Sequence, residues 1–269
     1  MEAKDRIIVA LDVSNLREVK SLVEQLAPYV GCFKIGLELI SSIGGPQAAI
    51  YVHKLGGEVF YDGKFNDIPN TVAGAARAVK RMGVKMFNIH CLSGFEAMRR
   101  AREAVDTAIP VDETIMIGRK ILHTNSLVLG VTILTSLDYQ GLYSMDIVPR
   151  INYADFEEQK EAEHKQIQEL VKNLALLAQD ASLDGVVCSP KEISLLRRWC
   201  QPEFLLVTPG VRPEWAGKDD QKRVMNPAEA IKAGADYVVI GRPITNPPKE
   251  IGSPVEAIKR IITEIEEVK

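Results

Sequence analysis

The sequence predicts an α/β chain closed as a (β/α)8 barrel, and three observations predict it. Short apolar runs alternate with amphipathic segments from one end to the other, the pattern of parallel strands covered by helices. Eight such units fit into 269 residues, a length that suits one closed barrel as a single domain. No Gly-x-Gly-x-x-Gly follows the first run, so an open dinucleotide-binding sheet would lack its phosphate turn.

The first strand is Arg6 to Leu11, ending in Asp12, and Ser14 or Asn15 caps a helix through Leu26. Cys32 to Gly36 forms the second, followed by Gly44-Gly45-Pro46 and a helix to Leu55. The third, Glu58 to Asp62, leads through a polar stretch into a small-residue helix from Val72 to Met82. Met86 to His90 is the fourth, with Gly94 opening a helix to Val105. Leu127 to Thr132 and Asp184 to Cys188 are the fifth and sixth, and a helix runs from Pro190 to Trp199. Phe204 to Thr208 and Asp236 to Ile240 complete the set, and Pro254 to Glu267 closes the chain as an amphipathic helix. Residues 110–123 and 139–166 fit the repeat poorly and read as insertions in surface connections, the second partly helical. The charge run from Glu157 to Lys165 reads as a solvated face.

Composition narrows the function. With 46% hydrophobic and 26% charged residues and a net charge of -3, the chain has the make-up of a soluble globular protein. It does not read as a general binder of nucleic acid or of anionic membranes. Any phosphate recognition must be local. The opening Met1 to Arg6 is too charged for a secretory signal, and no apolar run approaches the ~20 residues of a membrane span; we expect a cytoplasmic protein. The four cysteines lack a C-x-x-C pair, and Cys32, Cys91 and Cys188 fall in apolar runs that suit buried free thiols. The histidines, His53, His90, His123 and His164, show no metal-ligand spacing.

In a barrel of this kind the reacting groups sit at the C-terminal ends of the strands. Those positions hold Asp12, Lys34, Asp62 with Lys64 and Asp67, His90, Thr132 with Thr135, Ser189, Thr208 with Arg212, and Gly241 with Arg242. Asp62 and Lys64 are two apart and share a face of an extended chain. A plain structural reading has Asp67 pairing with Lys64 and Asn70 capping the next helix. Lys34 interrupts the apolar run Phe33-Lys34-Ile35, where an unpaired ammonium is costly, and Asp62 on the adjacent strand is its nearest acid. His90 suits a supporting hydrogen bonder better than a base. Three acids and two lysines converging on one barrel mouth exceed what a solvated rim needs.

Thr208-Pro-Gly-Val-Arg212 and Ile240-Gly-Arg242 follow strands seven and eight, the usual phosphate corner of such barrels. Gly241 lets an oxyanion approach the backbone, and a guanidinium matches phosphate geometry. Pro213 to Arg223, with Gln221, is long enough to close over a ligand.

The run Asp62-x-Lys64-x-x-Asp67-Ile68-Pro69-Asn70-Thr71 resembles the signature of the orotidine 5'-phosphate decarboxylase family. Ala10-Leu11-Asp12, Phe33-Lys34-Ile35-Gly36, Val131 to Ser136, Thr208 to Arg212, Asp220-Gln221 and Ile240 to Arg242 stand in the family's order, so the likeness spans nearly the whole chain. It departs from the family at Gly63, where a bulkier residue is common, and at Asn66, where a histidine is common. Effects on local packing are expected there.

The resemblance implies conversion of orotidine 5'-monophosphate to uridine 5'-monophosphate, the last step of de novo pyrimidine synthesis, with no metal or cofactor. It implies Lys64 as proton donor to C6, Asp62 facing the departing carboxylate, Lys34 completing the array with a ribose contact, and Asp12 on the ribose hydroxyls. Thr135 would lie by the pyrimidine, with Arg212, Gln221, Gly241 and Arg242 around the phosphate. Asp67 and Thr71 would reach into the partner's site of a homodimer. Two other readings stay open. One is a metal-dependent sugar-phosphate decarboxylase on the same scaffold, such as a 3-keto-gulonate-6-phosphate decarboxylase, which shares Asp-x-Lys-x-x-Asp. The other is a non-catalytic phosphate-binding barrel. Ile68 to Thr71 and Val131 to Ser136 favour the nucleotide over the first, and Lys64 between two acids has no use in the second.

Overall fold

The computed structural model describes residues 1–108, 125–153, 155–216 and 225–268. In chain order the elements are β1 (Ile7–Leu11), α1 (Leu16–Leu26), β2 (Cys32–Ile35), α2 (Leu37–Ile43), α3 (Gly45–Lys54), β3 (Val59–Phe65), α4 (Pro69–Arg81), β4 (Met86–His90) and α5 (Phe95–Asp106). They continue with β5 (Leu127–Val131), α6 (Tyr139–Ser144), α7 (Phe156–Asp180), β6 (Gly185–Val187), α8 (Ile193–Trp199), β7 (Leu205–Pro209), α9 (Pro227–Ala233), β8 (Tyr237–Ile240), α10 (Arg242–Thr245) and α11 (Pro254–Glu266). The strands pair in sequence order, all parallel, and β8 returns to β1 to close the barrel. The predicted (β/α)8 architecture is the observed one.

Alternation along the strands builds two apolar layers. Ile7, Val9, Leu11, Phe33 and Ile35 face the surrounding helices in the larger cluster. Ile8, Ala10, Cys32, Phe60, Met86 and Leu129 form a second cluster that plugs the barrel interior. Side chains two residues apart point the same way, so the next inward positions above this plug are Asp12, Lys34, Asp62 and Asn88. The plug therefore ends where the charges begin.

The opposite rim is tied by a repeated device. Asp184, just before β6, accepts the Val128 N–H at 2.6 Å and an Arg102 N–H from α5 at 2.7 Å. Asp236, just before β8, accepts the Leu206 N–H at 2.8 Å and pairs with Arg197 of α8. Each aspartate caps the start of the preceding strand and is clamped by an arginine from a covering helix.

Several helices differ from their expected form. Asn15 caps α1 by accepting the Glu18 N–H, but two helices, not one, join β2 to β3. Helix α4 starts at Pro69 rather than Val72, because the fixed φ of proline suits a first helical turn. Its N-cap is Ile68 with no side-chain cap, and Asn70 instead accepts an Arg100 N–H at 3.2 Å. The charge run at Glu157 to Lys165 is the first half of α7, a 25-residue helix capped by Asp155. The segment before it is pinned by Tyr139, whose hydroxyl donates to Pro149 O at 2.8 Å and accepts the Ile151 N–H at 3.0 Å. Residues 110–123 lie outside the described residues. All four cysteines are buried free thiols.

Candidate active site

The four charges that strands β1 to β3 carry to the mouth form a chain of alternating sign. Lys34 Nζ lies 3.2 Å from Asp12 Oδ1 and 3.3 Å from Asp62 Oδ2, and Lys64 Nζ lies 2.8 Å from Asp62 Oδ1. Lys34 thus meets two acids, the expected Asp62 and also Asp12. The Asp62 side chain is 10% exposed and Lys64 29%. Burial pushes the Asp62 carboxyl up, but Lys34, Lys64 and the hydrogen bonds from Lys64 and Asn88 outweigh it and hold the group below its ordinary value. It is a carboxylate throughout the physiological range.

The Asp62–Lys64 pair does not come from simple strand alternation. Tyr61 pairs with Phe87 and Phe65 with Ile89, so three residues of β3 stand against one of β4. Lys64 adopts φ 48 in this bulge, a left-handed conformation uncommon for a non-glycine residue. Gly63 sits beside the rings of Tyr61 and Phe65, whose centroids are 6.1 Å apart. A Cβ at Gly63 would stand 2.8 Å from Tyr61 Cε1 and 3.1 Å from Phe65 Cε1. The departure from the family pattern at this position is accommodated by these two aromatic rings. At the other departure, Asn66 accepts the Ser93 hydroxyl at 2.9 Å, joining the β3–α4 and β4–α5 connections.

Asn88 is the residue that sequence reasoning missed. It is 1% exposed; its Nδ2 donates to Asp62 Oδ1 at 2.6 Å and its Oδ1 accepts the Lys64 backbone N–H at 2.8 Å. The signal was present: an amide interrupting the apolar strand Met86 to His90 at the same inward parity as Asp62. His90, two residues on, is half-buried, and burial followed by the Lys64 charge holds it below its ordinary value against the pull of Asp62. A neutral imidazole there fits a supporting role.

Opposite the charges lies an apolar wall. A cavity of about 200 Å³ is lined by Lys34, Asp62 and Lys64 from β2 and β3, by the apolar Ile133, Leu134 and Pro209 from the β5 and β7 ends, and by Thr135. At the β8 end, a Cβ on Gly241 would lie 3.4 Å from Asp12 Oδ2, so the Gly241–Arg242 turn adjoins the Asp12 end of the charge chain. Arg242 is exposed, and the Arg212 backbone N–H donates to Met225 O at 3.0 Å. Gln221 falls outside the described residues, as does most of the expected lid.

Asp67 and Thr71 are exposed and stand apart from this chain of charges. Asp67 Oδ1 accepts the Ile68 N–H at 2.7 Å, and the acid that pairs with Lys64 among the described residues is Asp62, not Asp67. Ile68, Leu92 and Phe95, which follow the ends of β3 and β4, are 67%, 47% and 41% exposed. Among the described residues, no group of three or more His, Cys, Asp or Glu is arranged to hold a metal ion, and no helix is long and apolar enough to cross a membrane.

Comparison with known proteins bears on this geometry. Residues 5–261 match the model of the orotidine 5'-phosphate decarboxylase / HUMPS family. The orotidine 5'-phosphate decarboxylase of Geotalea uraniireducens (strain Rf4) is 46% identical over 98% of this chain and 96% of its own length. That of Moorella thermoacetica is 46% identical over 100% of this chain and 95% of its own. The crystal structure of orotidine 5'-phosphate decarboxylase from Lactobacillus acidophilus superposes with a TM-score of 0.73 at 28% identity, covering 96% of this chain and 98% of that one.

Proposed function

The chain belongs to the orotidine 5'-phosphate decarboxylase / HUMPS family, and on that premise we propose that it converts orotidine 5'-monophosphate to uridine 5'-monophosphate and carbon dioxide. The observation that carries this reading is the Asp12–Lys34–Asp62–Lys64 chain facing an apolar wall across one cavity. The pyrimidine lies on the apolar wall by Thr135, its carboxylate toward Asp62 and its C6 toward Lys64. Asp12 and Lys34 take the ribose, and Gly241, Arg242 and Arg212 take the phosphate. The C6–carboxylate bond breaks, its electron pair stays on C6, and Lys64 Nζ gives that carbon a proton.

Magnitudes rank the effects. The carbanion has no ring system to delocalise it, so the barrier reduction lies near the top of the enzymatic range, ~20 kcal/mol or more. Repulsion between Asp62 and the substrate carboxylate at ~4 Å supplies only ~4 kcal/mol at an effective dielectric of ~20, and Lys34 and Lys64 offset part of it. The larger effect is an ammonium already held where negative charge develops, without solvent reorganisation. Phosphate contacts supply the remote binding energy that compensates for desolvating the array.

The catalytic unit is a homodimer in which Asp67 and Thr71 enter the partner's site; the exposed Ile68, Leu92 and Phe95 support a covered face. The enzyme is placed in the cytoplasm, and its appearance in a membrane fraction would contradict that.

The test is the absorbance change of orotidine 5'-monophosphate with purified, chelator-treated protein. Turnover that survives EDTA supports this reading over a magnesium-dependent relative on the same scaffold; turnover only with added metal sinks it. Binding of uridine 5'-monophosphate with no turnover of orotidine 5'-monophosphate would make the barrel a sensor. Mixing Asp67→Asn with Lys64→Ala subunits restores one native site per hybrid dimer, and no recovered activity after exchange would argue against a shared site.

A further inference from the structure

Between the last regular pairs of β3 and β4, Asp62, Gly63 and Lys64 face the single residue Asn88. A two-residue excess on one strand breaks the backbone ladder and leaves its polar groups to be satisfied by other means. The Asn88 carboxamide does this with both ends. Its oxygen takes the Lys64 N–H that the bulge frees, at 2.8 Å, and its NH2 group holds the Asp62 carboxylate at 2.6 Å. One rigid planar group therefore fixes the backbone of the lysine and the side chain of the acid it pairs with. The side chain is 1% exposed and sits on a strand paired on both sides, so it has little freedom to hold them any other way.

We propose that Asn88 is a positioning residue for the decarboxylation, an inference that rests on the functional reading above: it holds Lys64 in its left-handed backbone conformation and Asp62 in the orientation that aims the Lys64 ammonium into the cavity. It touches neither substrate nor product. Its effect falls on the step in which C6 charge develops and not on the contacts that hold a nucleotide, because Asp12, Arg212 and Arg242 lie on other strands' ends. The charged groups around it are Asp62 and Lys64 on β3, Lys34 on β2 through Asp62, and His90 on its own strand. On the β5 side it meets Leu129, which carries no charge.

Two substitutions test this, each first compared with wild type by thermal melting. Removing a hydrogen bond to a charged group costs enough to lower kcat by roughly 10- to 100-fold in Asn88→Ala, with uridine 5'-monophosphate affinity changed by less than about threefold. Asn88→Asp keeps the shape and the acceptor for Lys64 but loses the donor for Asp62 when ionised. Its kcat should fall at neutral pH and recover toward wild type on acidification, when the new carboxyl gains a proton and donates it to Asp62. A merely structural asparagine would not create that acid limb. Wild-type kcat in Asn88→Ala, parallel losses of kcat, nucleotide affinity and melting temperature, or no acid limb in Asn88→Asp would each overturn the proposal. Wild-type protein that fails to turn over orotidine 5'-monophosphate overturns the functional reading instead. In that case 13C titration of the Asp62 carboxyl decides the role of Asn88: a rise toward the ordinary value in Asn88→Ala supports the clamp, and an unchanged titration ends it.

Discussion

Gly36 offers a substitution that perturbs the charge chain without replacing any of its members. A Cβ built on Gly36 would lie 2.8 Å from Lys34 Nζ and 3.7 Å from Asp12 Oδ1. The backbone there has φ -97 and ψ -178, which any residue adopts, so alanine introduces no backbone strain. Ordinary non-bonded contact needs about 3.5 Å, so the ammonium must move by roughly 0.7 Å. Lys34 is held at 3.2 and 3.3 Å by its two acids, close to the outer limit of a hydrogen bond, and a shift of that size breaks one of them. One charge-assisted bond is worth about 1.5–3 kcal/mol, which sets the expected fall in kcat/KM of Gly36→Ala at roughly 10- to 100-fold. Folding should hardly notice: glycine to alanine at an N-cap costs up to about 1 kcal/mol, or a few degrees of melting temperature in a chain of this size. Steady-state kinetics on orotidine 5'-monophosphate and scanning calorimetry on the same preparation separate the two effects. If kcat/KM stays within about twofold of wild type, the ammonium swings aside without loss, and the claim that its position is tightly held is wrong.

Three further outcomes follow from other parts of the fold. Arg242 is exposed, so Arg242→Ala should leave melting unchanged while lowering kcat/KM on the order of 100-fold through lost charged hydrogen bonds to phosphate; an equal loss on a substrate without phosphate would make the residue structural. Glu192 is buried at the start of α8 and pushed up to about 7 by desolvation, against the Ser189 N–H bond and Lys191. The folded chain therefore keeps this proton to higher pH than the unfolded chain. Stability should fall as pH rises from about 4.5 to 7, by on the order of 3 kcal/mol. Glu192→Gln should flatten that slope in urea titrations at pH 5 and 8, and an identical slope in both proteins would refute the assignment. Arg197 donates to Gly234 O, Phe204 O and Asp236, so Arg197→Ala should cost about 2–3 kcal/mol by leaving a half-buried carboxylate unpaired. Melting should drop by roughly 5 °C with kcat unaltered; a fall in kcat would mean that this rim communicates with the mouth.

The barrel and most of the site were legible because both depend on local pattern. Continuous apolar runs ending in Asp12, Asp62 and His90 mark strands and their C-terminal ends together, and Lys34 inside an apolar run demands an acid on a neighbouring strand. What escaped depends on comparing strands. The bulge at Asp62–Lys64 exists because three residues of β3 span the same rise as one of β4, and no single strand carries that information. Lys64 at φ 48 was hidden for a further reason, since a left-handed position is normally announced by glycine. Asn88 was within reach: the reasoning that singled out Lys34, a polar group inside an apolar strand, applies to it equally. Helix α2 was masked by the Gly44-Gly45-Pro46 break, which marks the start of α3 and leaves the seven residues before it without a signal of their own. The charges of Glu157 to Lys165 are for the most part solvated as expected, but they decorate a helix whose apolar stripe (Val171, Leu174, Ala175, Ala178) begins only further along.

Charge balance explains why this array suits a decarboxylation better than a binding site. Asp12, Lys34, Asp62 and Lys64 sum to zero. A substrate carboxylate beside Asp62 brings the mouth to minus one, and the bond cleavage leaves that total unchanged, moving the negative charge from the carboxylate to C6. In the proposed pose this takes it from the neighbourhood of an acid to that of an ammonium. At an effective dielectric of ~20 and separations of ~4 Å, losing one repulsion and gaining one attraction are worth up to ~8 kcal/mol together. Protonation of C6 then leaves Lys64 as a neutral amine beside a neutral ring, and solvent restores its proton as the product leaves. A site built only to hold an anion would place the lysine where the carboxylate sits. Here the acid occupies that place and Asn88 locks the lysine one step further along, so the array is complementary to where the charge arrives rather than to where it starts.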